Sequence, residues 1–189
     1  MSKNEKVKEE DFFKFLKLVA PGTPLGRGLE IILQAGTGGL IVIGDRKKVP
    51  GAIEGGFEVN CHLTPTSLAE LAKMDGAIIL SEDIKRILYA NTELVPDYLI
   101  ATGERGTRHR AAERMAKQTN CPVIAISQSR RTISLYQGNM KYVLKTPPEL
   151  MSKANQALLT LEGYRATFHE VLTQLELLEF QDEVRLLDV

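Results

Sequence analysis

The 189 residues, 43% of them hydrophobic, suffice for one domain with a real core plus an appendage, and exclude a disordered chain. Lysine plus arginine equals aspartate plus glutamate at 24 each, so the chain has no general attraction for nucleic acid or anionic membrane, and any basic site is local. Cys61 and Cys121 form no Cys-x-x-Cys pair, the N-terminus is charged where a signal peptide is apolar, and no apolar run reaches a membrane span; the expectation is a cytoplasmic protein with no disulfide framework, structural zinc or membrane contact.

Phe12, Phe15, Leu16 and Val19 recur at helical spacing, and Pro21-Gly22 stops that helix. Thr23-Pro24 opens a second, running to about Ala35 with Leu25, Leu29, Ile32 and Leu33 inward. The GTGG at 36–39 closes this helix and leads into the strand GLIVIG. A Walker loop needs the opposite order, strand, glycines, then helix, so these glycines read as a helix terminus and turn. A polar, glycine-rich stretch fills 44–56. FEVNCHL alternates as a strand, Thr64-Pro65 opens a helix carrying Leu68, Leu71 and Ala72, and Ala77 to Leu80 make a buried strand with Asp75-Gly76 at its start.

Residues 84–91 read as a strand after a turn, with a helix capped by Ser81 as the alternative, and DYLIAT at 97–102 reads as a further extended piece. Thr107 is the expected cap of a helix over 107–118. CPVIAIS is a strand, and TISLYQ and MKYVL form a hairpin through Gly138-Asn139. The alternation predicts an α/β domain, a mixed central sheet flanked by helices, to about residue 145. Past a break at 145–148, Ala154, Ala157, Leu161, Tyr164, Phe168, Val171, Leu175 and Leu178 step by three and four, which predicts one long C-terminal helix over most of 149–181. Its apolar seam needs a partner: another copy, the α/β domain, or more of a longer chain.

The helix opening at Thr107 poses a question of charge. Arg108, His109 and Arg110 stand in its first turn, where aligned peptide dipoles already place positive potential. Free N–H groups at such an end bind anions, and the planar arginine fork meets phosphate oxygens bidentately; arginines two apart do not share a face, so they would clasp a ligand from two sides. The plainer reading is a solvated turn with Glu104 and Glu113 as counterions. Asp75-Gly76 is a common turn pair, or an acid at a strand edge where a glycine lets a ligand approach and oxygen ligands suit a hard divalent cation. Ser127, Ser129 and Arg130 follow a buried strand and read either as a polar turn or as phosphate donors at the strand end. His62 and His169 lack ligand spacing and read as structural or exposed.

Together, MDGAIIL, GERGTRHRAAERMA and VIAISQSRRTISLYQG resemble the diadenylate cyclase domain family, in the form found at the N-terminal end of DNA integrity scanning proteins. The resemblance spans about residues 10–145, and the long helix resembles the start of the family's helical linker. It implies a cyclase domain over 1–145 and the start of a linker domain over 146–189. It further implies a nucleotidyltransferase that condenses two ATP into cyclic di-AMP and two pyrophosphates, each 3′-hydroxyl attacking the other's α-phosphate across a face-to-face pair of domains, within a homo-oligomer that in the family is an octamer.

By resemblance Asp75 holds Mg2+ or Mn2+ and helps activate the hydroxyl, and Gly76 and Ala77 lie against the nucleotide. Leu94 walls the adenine, Thr107 contacts the adenosine or the chain entering the helix, and Arg108, His109, Arg110, Ser127 and Arg130 hold phosphates. Branched DNA would be gripped by a C-terminal helix-hairpin-helix module that the sequence does not contain, which leaves DNA control in question. A nucleotide sensor without catalysis, or an oligomerising scaffold for DNA recognition, are the competing classes.

Overall fold

The computed structural model describes residues 3–44, 51–145 and 147–180. Residues 45–50 of the polar stretch and the LLDV end lie outside the described residues. The chain divides after Leu144 into two compact units.

The first unit is a mixed sheet with helices on both faces. Its central strands are β1 (Gly39–Ile43), β4 (Ala77–Leu80) and β6 (Val123–Ser127), every residue of which is buried. Burial on both faces explains why these strands read as continuous apolar runs and not as polar-apolar alternations. Successive side chains still point to opposite sides. Ile41, Ile43, Ile78, Leu80, Ile124 and Ile126 pack with α1 (Lys3–Leu18), α2 (Pro24–Gln34) and α3 (Pro65–Leu71). Leu40, Val42, Ala77, Ile79, Val123 and Ala125 pack with α4 (Thr107–Thr119).

β1 pairs parallel with β4 and antiparallel with β6. Beyond β4 runs β5 (Arg86–Leu94), and beyond β6 the hairpin of β7 (Thr132–Gln137) and β8 (Met140–Leu144), all antiparallel to their neighbours. The outer edge of β5 is lined by two pieces, β2 (Ile53–Glu54) and β3 (Phe57–His62), which pair with its two halves in turn. They amount to one strand interrupted at Gly55-Gly56, both at positive φ.

Local chemistry accounts for the helix ends. The Thr23 hydroxyl accepts from the Gly26 N–H (3.0 Å) and the Thr64 hydroxyl from the Ser67 N–H (3.0 Å), each with proline next in the chain. After α2, the Gly36 and Thr37 N–H groups bond back to the Leu33 and Ile32 carbonyls, so GTGG does close the helix. Ser81 caps no helix. Its hydroxyl bonds Asp83 and accepts from the Arg86 N–H, building the β4–β5 turn.

The extended piece read at 97–102 is not a strand. The Asp97 N–H bonds the Gln118 side chain (2.9 Å), and Arg114 and Lys117 bond the Ile100 and Ala101 carbonyls (2.9 and 2.8 Å). Side chains of α4 thus take the backbone groups that a neighbouring strand would have used.

The second unit is described by α5 (Pro147–Phe180). Within it Leu161, Tyr164 and Phe168 are exposed, so the predicted seam is uncovered by the unit itself. Among the described residues no helix is long and apolar enough to cross a membrane.

The interrupted edge gives a paired test. At Gly55 an added Cβ meets nothing within 4 Å, and at Gly56 it would lie 2.3 Å from the Thr92 Cγ2 and 2.9 Å from the Ala90 carbonyl oxygen. Gly55→Ala then costs only left-handed strain, about 1 kcal/mol, and Gly56→Ala adds overpacking for a total of about 3 kcal/mol. Denaturant midpoints of the two variants check the difference.

Candidate functional site

The residues nominated from sequence converge on one rim of the sheet because of strand polarity. β4 begins there at Ala77, beside Thr92 near the end of β5, and β1 begins there at Gly39, beside Ile126 near the end of β6. α4 starts at the same rim, since it leads into β6 from the opposite one. The rim holds the amino ends of the parallel pair β1/β4, not the carboxyl ends where ligands gather in open parallel sheets.

A groove of about 530 Å³ opens there, lined by Leu40, Gly76, Ala77, Leu94, Thr107 and Arg108, with Asn91, Thr92, Glu93 and Ala111 completing it. This size suits a small-molecule ligand. Five nominated residues, Gly76, Ala77, Leu94, Thr107 and Arg108, therefore share one cavity. Asp75 is exposed, one residue before Gly76. His109, Arg110, Ser127 and Arg130 are not part of the lining.

Gly76 has a structural reason to be glycine. Its φ is +91°, and a Cβ would lie 2.8 Å from the Thr92 carbonyl oxygen, so the backbone of β5 fills that space. Thr92 itself is fully buried and its hydroxyl donates to the Ala77 carbonyl oxygen at 2.8 Å, fixing the groove floor.

The start of α4 differs from the expectation in its cap. Gly106 is the N-cap and no side chain bonds the first N–H groups; Thr107 is already inside the helix. The first turn carries no acid. The helix end therefore presents free donors and dipole potential together with Arg108, His109 and Arg110.

Nor do the nearby carboxylates neutralise the arginines. Glu113 is held by the Thr102 hydroxyl (2.5 Å), the Gly103 N–H (3.2 Å) and Lys117 (2.6 Å). Glu104 accepts from the Tyr136 hydroxyl (2.8 Å) and pairs with Lys141. Among the described residues neither Arg108 nor Arg110 forms an ion pair with a carboxylate, which disfavours the plain solvated-turn reading.

Arg108 instead reaches across to the chain entering β1, where a Cβ on Gly38 would stand 2.2 Å from its Nη1. The GTGG run thus has a second use, invisible to periodicity: Gly38 leaves room for a guanidinium. Arg110 is exposed. After β6, the Ser127 hydroxyl accepts from the Arg130 N–H at 3.2 Å and lies 3.4 Å from the Ser129 hydroxyl, closing a tight polar turn.

His109 is half-buried, its ring edge-on to that of Tyr136 at 6.5 Å and 83°. Burial lowers its pKa below the usual imidazole value; Glu104 pulls it up, and Arg130, Lys141 and Arg108 push it down. Burial opposes ionisation of Glu104, yet hydrogen bonds from Lys141 and Tyr136, and the charges of Lys141 and His109, hold its pKa below the carboxylate norm. Burial, then the hydrogen bond and charge of Glu104, push the Tyr136 phenol well above its ordinary value.

Sequence reasoning missed Leu40, Asn91, Thr92, Glu93 and Ala111 in the lining, and the Glu104–Tyr136–Lys141 group. Only the adjacency of Asn91 to Glu93 with Leu94 could have signalled any of them.

Residues 26–141 match the family described as DisA bacterial checkpoint controller nucleotide-binding, and residues 144–189 match its linker region. The chain belongs to this family. The DisA nucleotide-binding match takes in every candidate residue from Asp75 to Arg130. The DNA integrity scanning protein DisA of Carboxydothermus hydrogenoformans is 60% identical over 183 residues, 97% of this chain and 52% of that one. That of Bacillus licheniformis is 51% identical over 189 residues, 100% of this chain and 53% of that one. The chain thus spans about half the length of the curated relatives it matches.

Two crystal structures share the fold. A hypothetical membrane spanning protein from Bacillus cereus has a TM-score of 0.57 at 22% identity, over 65% of this chain and 62% of that one. A double mutant of DacA from Staphylococcus aureus has 0.51 at 20%, over 81% and 95%.

The depressed His109 pKa fixes a sign. The unfolded chain takes up the proton at about 6.5 and the folded one only at lower pH, so His109 costs nothing above that value and destabilises as pH falls through it. His109→Gln should therefore flatten the loss of melting temperature on going from about pH 7 to about pH 5. Thermal unfolding of both proteins across that range checks it.

Proposed function

We propose that this chain is a diadenylate cyclase, binding one ATP in the groove below α4 and, in a face-to-face pair of copies, converting two ATP into cyclic di-AMP and two pyrophosphates. One observation carries the reading: an uncapped helix start with two arginines that no carboxylate neutralises, opening beside a groove with an apolar wall. ATP has the two matching halves, a flat base for Leu94 and a polyanion for the helix end.

Thr107 stands where the adenosine would lie, and Arg108 beside it would take phosphate oxygens bidentately. Ser127 accepts from the Arg130 N–H and still has a proton to give to a phosphate, while Arg130, whose charge reaches His109, would share the pyrophosphate. Exposed Arg110 is available to the nucleotide of a facing copy. Phosphoryl transfer asks mainly for in-line positioning and charge neutralisation, which this set provides without covalent chemistry.

Asp75, one residue before Gly76 of the lining, would be the carboxylate that holds Mg2+ or Mn2+. No group of three or more acids, histidines or cysteines is placed to hold a metal among the described residues, which fits a site completed by phosphates and water, the mode Mg2+ favours. Such an ion, when bound, makes the 3′-hydroxyl more acidic and offsets phosphate charge. Asp75 would orient that hydroxyl, and the arginines would take up charge as the bond from the α-phosphorus to pyrophosphate breaks and that to the 3′-oxygen forms. Since each hydroxyl serves the opposite α-phosphate, a single copy would be inert. Assembly as an octamer, a cytoplasmic location, and recognition of branched DNA by the portion of the relatives that this chain does not span belong to the same proposal.

Incubation with ATP and Mg2+ or Mn2+, followed by mass spectrometry, should give one cyclic dinucleotide and two pyrophosphates per two ATP. Nucleotide retained without pyrophosphate would make the chain a sensor and sink the cyclase reading. Asp75→Asn should abolish turnover while sparing ATP binding, and near-normal turnover in that variant rules out the metal role. Arg108→Ala should weaken ATP binding about 10- to 100-fold, as expected for charge-assisted hydrogen bonds worth about 1.5–3 kcal/mol, measured by calorimetry.

A further inference from the structure

Three cationic side chains, Arg108, Arg130 and Lys141, surround His109, and Glu104 is the carboxylate that acts on it. Glu104 is placed with unusual firmness for an acid in a loop: its side chain is 8% exposed, bonded by the hydroxyl of Tyr136 on β7 and paired with Lys141 on β8. Tyr136 is itself 1% exposed and presents its ring edge-on to His109, and the Lys141 ammonium lies 6.0 Å from the same ring. Gly106, two residues after Glu104, is the helix N-cap and receives no side-chain hydrogen bond. The entry to α4 is held by the clasp on Glu104 together with the Thr102 hydroxyl, which donates to Glu113 and accepts from the Glu104 N–H (3.1 Å). The same tether connects the chain entering α4 to the β7–β8 hairpin.

We propose that Glu104, clasped by Tyr136 and Lys141, is a positioning residue for nucleotidyl transfer, setting the place of Arg108 and His109 at the start of α4 and supplying the fixed negative charge that lets them sit together. The inference rests on the cyclase reading and adds to it a group that touches no substrate. The carboxylate does two separable things. Through its hydrogen bond to Tyr136 it locates the loop; through its charge it acts on Lys141 and His109. Glutamine in its stead keeps an acceptor for the Tyr136 hydroxyl and loses the charge, and phenylalanine in place of Tyr136 keeps the charge and loses the hydrogen bond.

The test compares Glu104→Ala, Glu104→Gln and Tyr136→Phe with the unaltered chain. Each is assayed for kcat and KM with ATP and Mn2+, for ATP affinity with no turnover by calorimetry, and for the His109 titration by proton NMR, with His109→Gln to assign the signal. A group misplaced by about 1 Å costs on the order of 100-fold in rate. Glu104→Ala is therefore expected to lower kcat about that much while KM moves far less, with Glu104→Gln and Tyr136→Phe each recovering part of the loss. Glu104→Gln is also expected to lower the pH at which His109 titrates, because an opposing charge has been removed.

Should Glu104→Ala not fold, the glutamine and phenylalanine variants decide the matter alone. Unchanged kcat in folded variants, or an unmoved His109 titration in Glu104→Gln, overturns the proposal. If the unaltered chain makes no cyclic dinucleotide, the cyclase reading falls, and the His109 titration still judges the clasp.

Discussion

Positive charge gathered at a helix start has to be met by something, and much of this domain is arranged around that requirement. The first turn of α4 brings dipole potential and three cationic or titratable side chains to one point, with Gly106 as a cap that offers no side-chain acceptor. The available acids are otherwise engaged: Glu113 ties the 102–103 segment to the helix, and Glu104 is bound to the hairpin. Holding so much unneutralised charge in place requires rigid surroundings. α4 has them, with Ala112, Met115 and Ala116 buried completely against the sheet, while its outer side chains bind the preceding segment.

Strand polarity does the rest. With β5 and β6 antiparallel to the parallel pair, the starts of β1 and β4 share a rim with the ends of β5 and β6. Residues from Leu40 to Ala111 thereby line one groove through four different segments. No two of them need to be close in sequence. The groove thus lies at the amino ends of the parallel pair, opposite to the carboxyl ends where ligands gather in open parallel sheets.

The elements were legible where burial is two-sided or a cap is present: GLIVI, AIIL and VIAIS as strands, Thr23 and Thr64 as helix starts. Two readings failed for related reasons. Segment 97–102 has strand-forming residues, but side chains 14 to 21 positions later on α4 claim its backbone, a tertiary choice that local propensity does not encode. Thr107 is a good capping residue by type, yet it is the first helical residue and the cap lies one position earlier, at Gly106. Of the groove lining, Gly76, Ala77, Leu94, Thr107 and Arg108 were already named from the sequence. Thr92, Tyr136 and Lys141 were not, because a buried threonine, a core tyrosine and a surface lysine look alike wherever they stand, and their importance lies in partners 15 and 32 residues away for the first two.

A groove built from distant segments has a thermodynamic corollary. Its walls exist only when the whole sheet from β1 to β6 is formed, so a molecule bound there draws on global and not local stability. By mass action, saturation at a hundred times the dissociation constant adds about 2.7 kcal/mol to unfolding. A ligand that filled the groove would thus stabilise the fold as a whole, and its concentration would shift the unfolding midpoint.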